Sequence, residues 1–153
     1  MTSAWSAESF GRWYCRQREV NQVRFLLDRS LGQLVLPARL RDAGWDVRTL
    51  AEEFGDERAQ QMQDQECIGE GAKAGYILLA KDHRLASRPL EAYAIYAHDA
   101  KVVVFARGDL TAGKMGDLCV QYEQRIHGLA LAPGPFVFSI SVHGVTRKRL
   151  SVP

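Results

Sequence analysis

The 153-residue sequence has no apolar run near the ~18 residues that a membrane-spanning helix requires. Its opening stretch, MTSAWSAESFGRWYCRQREV, lacks the apolar centre of a secretory signal. Cysteine is scarce. Cys15, Cys67 and Cys119 are odd in number, far apart and without a CxxC pair, which argues against a disulfide framework or a structural zinc site. These features lead us to expect a cytoplasmic protein with free thiols and no membrane partner. Excess charge of one sign is also missing: 20 basic against 18 acidic residues leave +2, too little to imply nucleic-acid binding by net charge alone. No P-loop spacing, nucleophile elbow or internal repeat is present. The histidines, His83, His98, His127 and His143, show no metal-ligand spacing. What remains is ordinary globular composition, 46% hydrophobic and 25% charged, at a length that suits one domain.

The charge is unevenly distributed. Between positions 42 and 70 lie Asp42, Asp46, Glu52, Glu53, Asp56, Glu57, Asp64, Glu66 and Glu70, opposed only by Arg48 and Arg58, so this stretch carries 2 − 9 = −7. Residues 1–41 and 101–153 each carry 7 − 3 = +4. A solvated helical face explains such a run; so does a cation site with basic flanks for an anionic substrate.

Short apolar runs at 23–27, 76–80 and 101–106 are nearly continuous in hydrophobic character and are followed by helical patterns. That is the signature of parallel strands covered on both faces. Residues 45–50 alternate as a further strand. Ser30 is expected to cap a helix over 31–43, with Pro37 disturbing its first turn, and Asp64 to cap one through Ala74. Pro89 opens a helix through His98, and Thr111 caps a long one over 112–127 whose apolar strip (Met115, Leu118, Cys119, Tyr122, Ile126) offers a core or dimer face. After Pro133-Gly134-Pro135, residues 136–142 alternate as a strand that pairs with 145–150 across a turn at His143-Gly144. We therefore expect an N-terminal extension over 1–22, helical by its amphipathic pattern. A three-layer α/β/α domain with a mainly parallel sheet follows over 23–153, with a C-terminal β segment at 136–150.

In an open α/β sheet the ligand lies beyond the carboxyl ends of the strands. Asp28, Asp82 and Asp109 each follow a strand, and Asp64 and Glu66 open the helix leading into the third. Converging carboxylates repel one another and call for a cation. Their hard oxygens suit Mg2+ or Mn2+, which activate water for attack on a phosphodiester.

These residues also carry a family resemblance. VRFLLDRSLGQLVLPARLRDAGWDV at 23–47, QDQECIGEGAKAGYILLAKDHRL at 63–85 and VVVFARGDLTAGKMGDL at 102–118 resemble a PIN-like ribonuclease domain, with the VapC-like toxin group and the Mut7-C type the nearest variants. The resemblance covers roughly residues 23–125. It implies a Mg2+- or Mn2+-dependent endoribonuclease of the toxin–antitoxin kind, with an RNA substrate, a cognate antitoxin and a homodimeric state. Carried over by position, it makes Asp28, Glu66 and Asp82 the leading metal ligands and catalytic residues. Asp64 is the alternative to Glu66, and Asp109 is a fourth acid. Arg29, Lys81 and Arg84 are the phosphate contacts. Arg84 stands where many relatives carry a second acid, which leaves the number of metals open. It also keeps a second reading in play: a catalytically inactive PIN-like module that binds RNA or protein. A third is another carboxylate–metal phosphotransfer enzyme on a related sheet.

Overall fold

Strands buried on both faces must sit inside a sheet, and three of them build its middle. In the computed structural model, which describes residues 23–151, they are β1 (Arg24–Leu27), β3 (Ile77–Ala80) and β4 (Lys101–Phe105). The helix expected over 1–22 lies outside the described residues. β2 (Asp46–Thr49) alternates exposed and buried residues, as befits an edge. The sheet order is β2-β1-β3-β4-β5-β6, with β5 at Phe136–Ser141 and β6 at Gly144–Lys148. All neighbours are parallel except the β5–β6 hairpin, which forms across the expected turn.

Alternate strand residues feed two separate cores. Phe25, Leu27, Leu79, Val103, Phe105 and Phe136 face α1 (Val35–Asp42), α6 (Ala112–Gln121) and α7 (Glu123–Gly128). Leu26, Leu78, Val102, Val104 and Val137 face α2 (Leu50–Phe54), α3 (Asp56–Gln61), α4 (Asp64–Lys73) and α5 (Pro89–Ala97). This is the three-layer α/β/α arrangement expected from the alternation of elements. Among the described residues, no helix is long and apolar enough to cross a membrane.

Local chemistry moves several boundaries. Ser30 does not cap the first helix. Asp28 instead caps a single 3-10 turn over Arg29–Leu31, and α1 starts only at Val35. Pro37 thereby falls in the first turn, where its missing N–H has no intrahelical partner to lose. Asp64 is the first residue of α4 rather than its cap, which is Gln63. The long helix expected over 112–127 breaks at Tyr122, whose hydroxyl donates to the Val142 carbonyl at 3.0 Å. Its apolar strip is core and is not free for a partner: Met115, Leu118, Cys119 and Ile126 are all buried.

Helices α2 and α3 are additions to the elements expected from the sequence. Their start is a capping box, a signature already present in Thr49-Leu50-Ala51-Glu52. The Thr49 hydroxyl accepts from the Glu52 N–H at 3.2 Å, and the Glu52 carboxylate accepts from the Thr49 N–H at 2.9 Å. That N–H bond, assisted by Arg41, holds the Glu52 carboxyl below its ordinary value against partial burial. Replacing Thr49 by Ala removes one cap bond and is expected to destabilise the protein by about 1 kcal/mol in urea unfolding. An unchanged midpoint would show that the box contributes nothing.

Candidate active site

The sheet reverses its winding at one place. β1 is followed by β2 on one side, and the chain then crosses back to add β3 on the other. The carboxyl ends of β1 and β3 flank that switch point, the crevice where open α/β sheets receive ligands. Asp28 follows β1 and Asp82 comes two positions after the end of β3. The register pairs Leu27 with Leu79, and the Asp28 N–H donates to the Leu79 carbonyl at 2.9 Å. The two acids are therefore brought together by the sheet itself.

Each is oriented by its own turn. The Ser30 hydroxyl donates to Asp28 Oδ2 at 2.7 Å and accepts from the Lys81 N–H at 3.4 Å, so one hydroxyl links the turns after β1 and β3. Asp82 caps a 3-10 turn over His83–Ala86 by accepting from the Arg84 N–H at 2.9 Å. Arg84 Nε also reaches Asp82 Oδ1 at 3.1 Å, and Arg88 Nη2 reaches Asp82 Oδ2 at 2.8 Å. The turn is braced from behind. Lys148 Nζ donates to the His83 carbonyl at 3.1 Å, and the Ser151 N–H to that of Ala86 at 2.9 Å.

The third acid comes from a helix start. α4 and α5 each lead down into the next strand, so both begin at the end of the sheet where Asp28 and Asp82 lie. They can pack closely because Gly69 has no side chain: a Cβ there would stand 2.9 Å from the His98 ring. This puts Asp64, in the first turn of α4, near Arg88 and Glu91 at the start of α5; Arg88 Nη1 is 3.9 Å from Asp64 Oδ2.

The electrostatics separate the candidates. Partial burial, then the charges of Asp28, Glu91 and Asp82, raise the Asp64 carboxyl above its ordinary value, with Arg88 opposing them. Burial also pushes up Asp82, but the hydrogen bonds from Arg84 and the charges of Arg88 and Arg84 outweigh it and hold that carboxyl low. The thiol of Cys67, one turn along α4, is pushed far up by burial and by Asp28 and Asp64, so it is inert.

Asp28, Asp64 and Asp82 thus share one field. Glu66, the leading candidate on α4, is exposed and turned to Arg58 at 3.5 Å. Asp109 is exposed and paired with Arg107 at 2.7 Å, which holds its carboxyl below the ordinary value. Of the basic candidates, Arg84 lies on Asp82, Lys81 is half-buried beside it, and the Arg29 guanidinium donates to the Gln60 carbonyl. Sequence reasoning missed Arg88 and Glu91. The one signal available was their place around Pro89, which marks a helix start.

The donor chemistry fits a divalent cation. Asp28 and Asp82 follow β1 and β3 at the switch point, and burial, then Asp28, Glu91 and Asp82, disfavour the nearby Asp64 as an anion. As placed, however, no three His, Cys, Asp or Glu side chains among the described residues are close enough to hold an ion. Arg84 and Arg88 donate to the two Asp82 oxygens.

Opposite shifts give opposite signs in the metal-free protein. The raised Asp64 carboxyl costs stability once pH exceeds its folded value and costs nothing below the ordinary 3.8. The lowered Asp82 carboxyl contributes stability at neutral pH that is lost as pH falls through its folded value. In EDTA at pH 7, Asp64→Asn should raise the melting temperature, on the order of a degree or two, and Asp82→Asn should lower it. Both differences should shrink towards pH 3. Shifts of the same sign would refute this balance of charges.

The comparisons with known proteins point the same way. The chain is 29% identical over 121 residues to VapC45 of Mycobacterium tuberculosis, a protein whose name gives it a provisional assignment as a ribonuclease; the match covers 79% of this chain and 88% of that one. No solved structure matches it significantly. The profile of the family described as "PIN like domain" matches residues 23–107, which span β1 to the end of β4 and include Asp28, Asp64 and Asp82. With more than half its length so matched, the chain belongs to the PIN-like domain family.

Proposed function

We propose that this protein is a Mg2+- or Mn2+-dependent endoribonuclease of the VapC-like toxin kind, acting on RNA and restrained by a cognate antitoxin. The observation that carries this reading is the placement of Asp28 and Asp82 at the adjoining carboxyl ends of β1 and β3, with Arg88 linking Asp82 to Asp64 on α4. Family membership and the likeness to VapC45 support it.

Asp28, Asp64 and Asp82 would hold the ion, and we prefer Asp64 to Glu66 for the third position because Glu66 faces Arg58. A divalent ion bound there supplies Lewis acidity, lowering the pKa of water and offsetting the charge that develops on the phosphate. The protein's own residues do the rest. The Ser30 hydroxyl fixes the Asp28 carboxylate through its 2.7 Å bond. Arg84, with 63% of its side chain exposed, is free to turn from Asp82 to an incoming phosphate without moving the backbone. Lys81 and Arg29 lie in the turns on either side and add positive charge along the path of the RNA backbone.

A second reading has one specific observation in its favour. Arginines donate to both Asp82 oxygens and no three ligands converge among the described residues, as expected of a PIN-like module that has lost catalysis and binds RNA or protein. Cleavage of a labelled mixed-sequence RNA with Mn2+, and with EDTA, separates the two. Metal-dependent cleavage that falls at least ~100-fold in Asp28→Asn, Asp64→Asn and Asp82→Asn, but less than ~10-fold in Glu66→Gln, is expected. RNA binding without cleavage over a range of metals would favour the binding module. Equal loss in Asp64→Asn and Glu66→Gln would overturn the preference for Asp64.

A further inference from the structure

We propose that Arg88 is the internal cation of this site: its guanidinium neutralises Asp82 and Asp64 in the metal-free protein and competes with a divalent ion for them. The inference rests on the reading of these acids as metal ligands and adds a residue that tunes their affinity.

The geometry sets Arg88 apart from the other arginines. Its two terminal nitrogens go to carboxylates on different elements, Nη2 to Asp82 Oδ2 at 2.8 Å and Nη1 to Asp64 Oδ2 at 3.9 Å. Arg58 serves Glu66, Arg107 serves Asp109 and Arg84 serves Asp82, each engaging one carboxylate. Arg88 is also held in place. It is the N-cap of α5, extended at φ −74° and ψ 132°, and Pro89 follows it as the first helical residue. Its own N–H donates to the Arg84 carbonyl at 3.0 Å. The side chain is half-buried, at 36% exposure, against 63% for Arg84.

A guanidinium and a hard cation want the same lone pairs. Asp82 Oδ2 already receives Arg88 at 2.8 Å and Arg84 at 3.4 Å. With two donors on its two lone pairs, this oxygen can take an ion only if one donor gives way, and the Arg88 charge opposes a cation at both Asp82 and Asp64. Arg88 therefore acts in two ways. It relieves the repulsion between Asp64 and Asp82 before metal arrives, and it lowers the apparent affinity for metal by the free energy of the contacts that must be broken.

A role in the fold alone predicts that loss of Arg88 weakens metal binding or leaves it unchanged, since the acids would be less well placed. Competition predicts the reverse. Mn2+ binding to the full-length protein, followed by titration calorimetry, should be about 5-fold or more tighter in Arg88→Gln than in the wild type, and abolished in Asp82→Asn. In EDTA, Arg88→Gln should melt below the wild type, and its gain on adding Mn2+ should be the larger of the two. A second measurement needs no Arg88 variant. In 15N-labelled wild type, the Arg88 Nε–H resonance should move on titration with diamagnetic Mg2+, and should stay fixed in Asp82→Asn. If the wild type binds Mn2+ through Asp82 but Arg88→Gln binds it equally or more weakly, the proposal falls and the metal site stands. Should Arg88→Gln fail to fold, an Arg88 resonance that ignores Mg2+ overturns the proposal alone. If neither protein binds Mn2+, the proposal falls together with the metal-site reading.

Discussion

The parallel pairing of β1 with β3 is the constraint on which the site depends. The two strands are distant in sequence, yet their register fixes Leu27 against Leu79, and the ladder extends one bond further, from the Asp28 N–H to the Leu79 carbonyl. That bond sets the height of the turn that bears Asp28 against the turn that bears Asp82. Everything around it follows. Ser30 reaches across to the Lys81 N–H, α4 descends into β3 with Asp64 in its first turn, and α5 descends into β4 with Arg88 at its start. A slip of one residue would turn Phe25 and Leu27 to the opposite core and break both hydrophobic layers, so the acids inherit their placement from the packing.

Placing acids together has an electrostatic cost, and the structure meets it unequally. Asp82 is overcompensated: Arg84 and Arg88 hold its carboxyl low despite burial. Asp64 is undercompensated, because burial and three neighbouring acids outweigh Arg88. Carboxylates elsewhere in the negative stretch have their own counter-charges, such as Arg41 on Glu52 at 2.6 Å and Arg48 on Glu53 at 3.3 Å. These pairs are exposed or half-exposed and contribute little each. They balance part of the −7 of residues 42–70, and Asp42, Asp46, Asp56 and Glu57 in the same stretch lie exposed to solvent.

Much of this was legible in the sequence because strands announce their ends. A buried apolar run followed by Asp is easily seen at Leu27–Asp28, and again where Ala80 gives way to Lys81 and Asp82. The order of elements then places both turns at one end of the sheet. Phase on a helix is harder to read. Asp64 and Glu66 are two residues apart, about 200° around the axis, so only one can face the crevice. Which one does depends on where α4 begins and how closely it packs on α5, and the latter is set by Gly69 and His98 in space. Arg88 and Glu91 were hard to read for a related reason: Pro89 marks the helix start beside them, but their partners lie on other elements. The helices α2 and α3 escaped notice because they are short, although the Thr49–Glu52 capping box was there to be read. The break at Tyr122 was hidden because the apolar spacing runs straight through it, and the bond to Val142 that accompanies it is a tertiary contact.

The brace behind Asp82 has a consequence for the order of assembly. Lys148 and Ser151 grip the His83–Ala86 turn from the hairpin strand and the residues just after it, with Lys148 following His83 by 65 residues. During synthesis the amino-terminal strands emerge first and begin to pair before the hairpin strand exists. A nascent chain therefore carries all three acids for some time without the strand that steadies one of them. For a protein read as a ribonuclease, made beside ribosomal RNA, the turn bearing Asp82 would gain this brace only after β6 has left the exit tunnel.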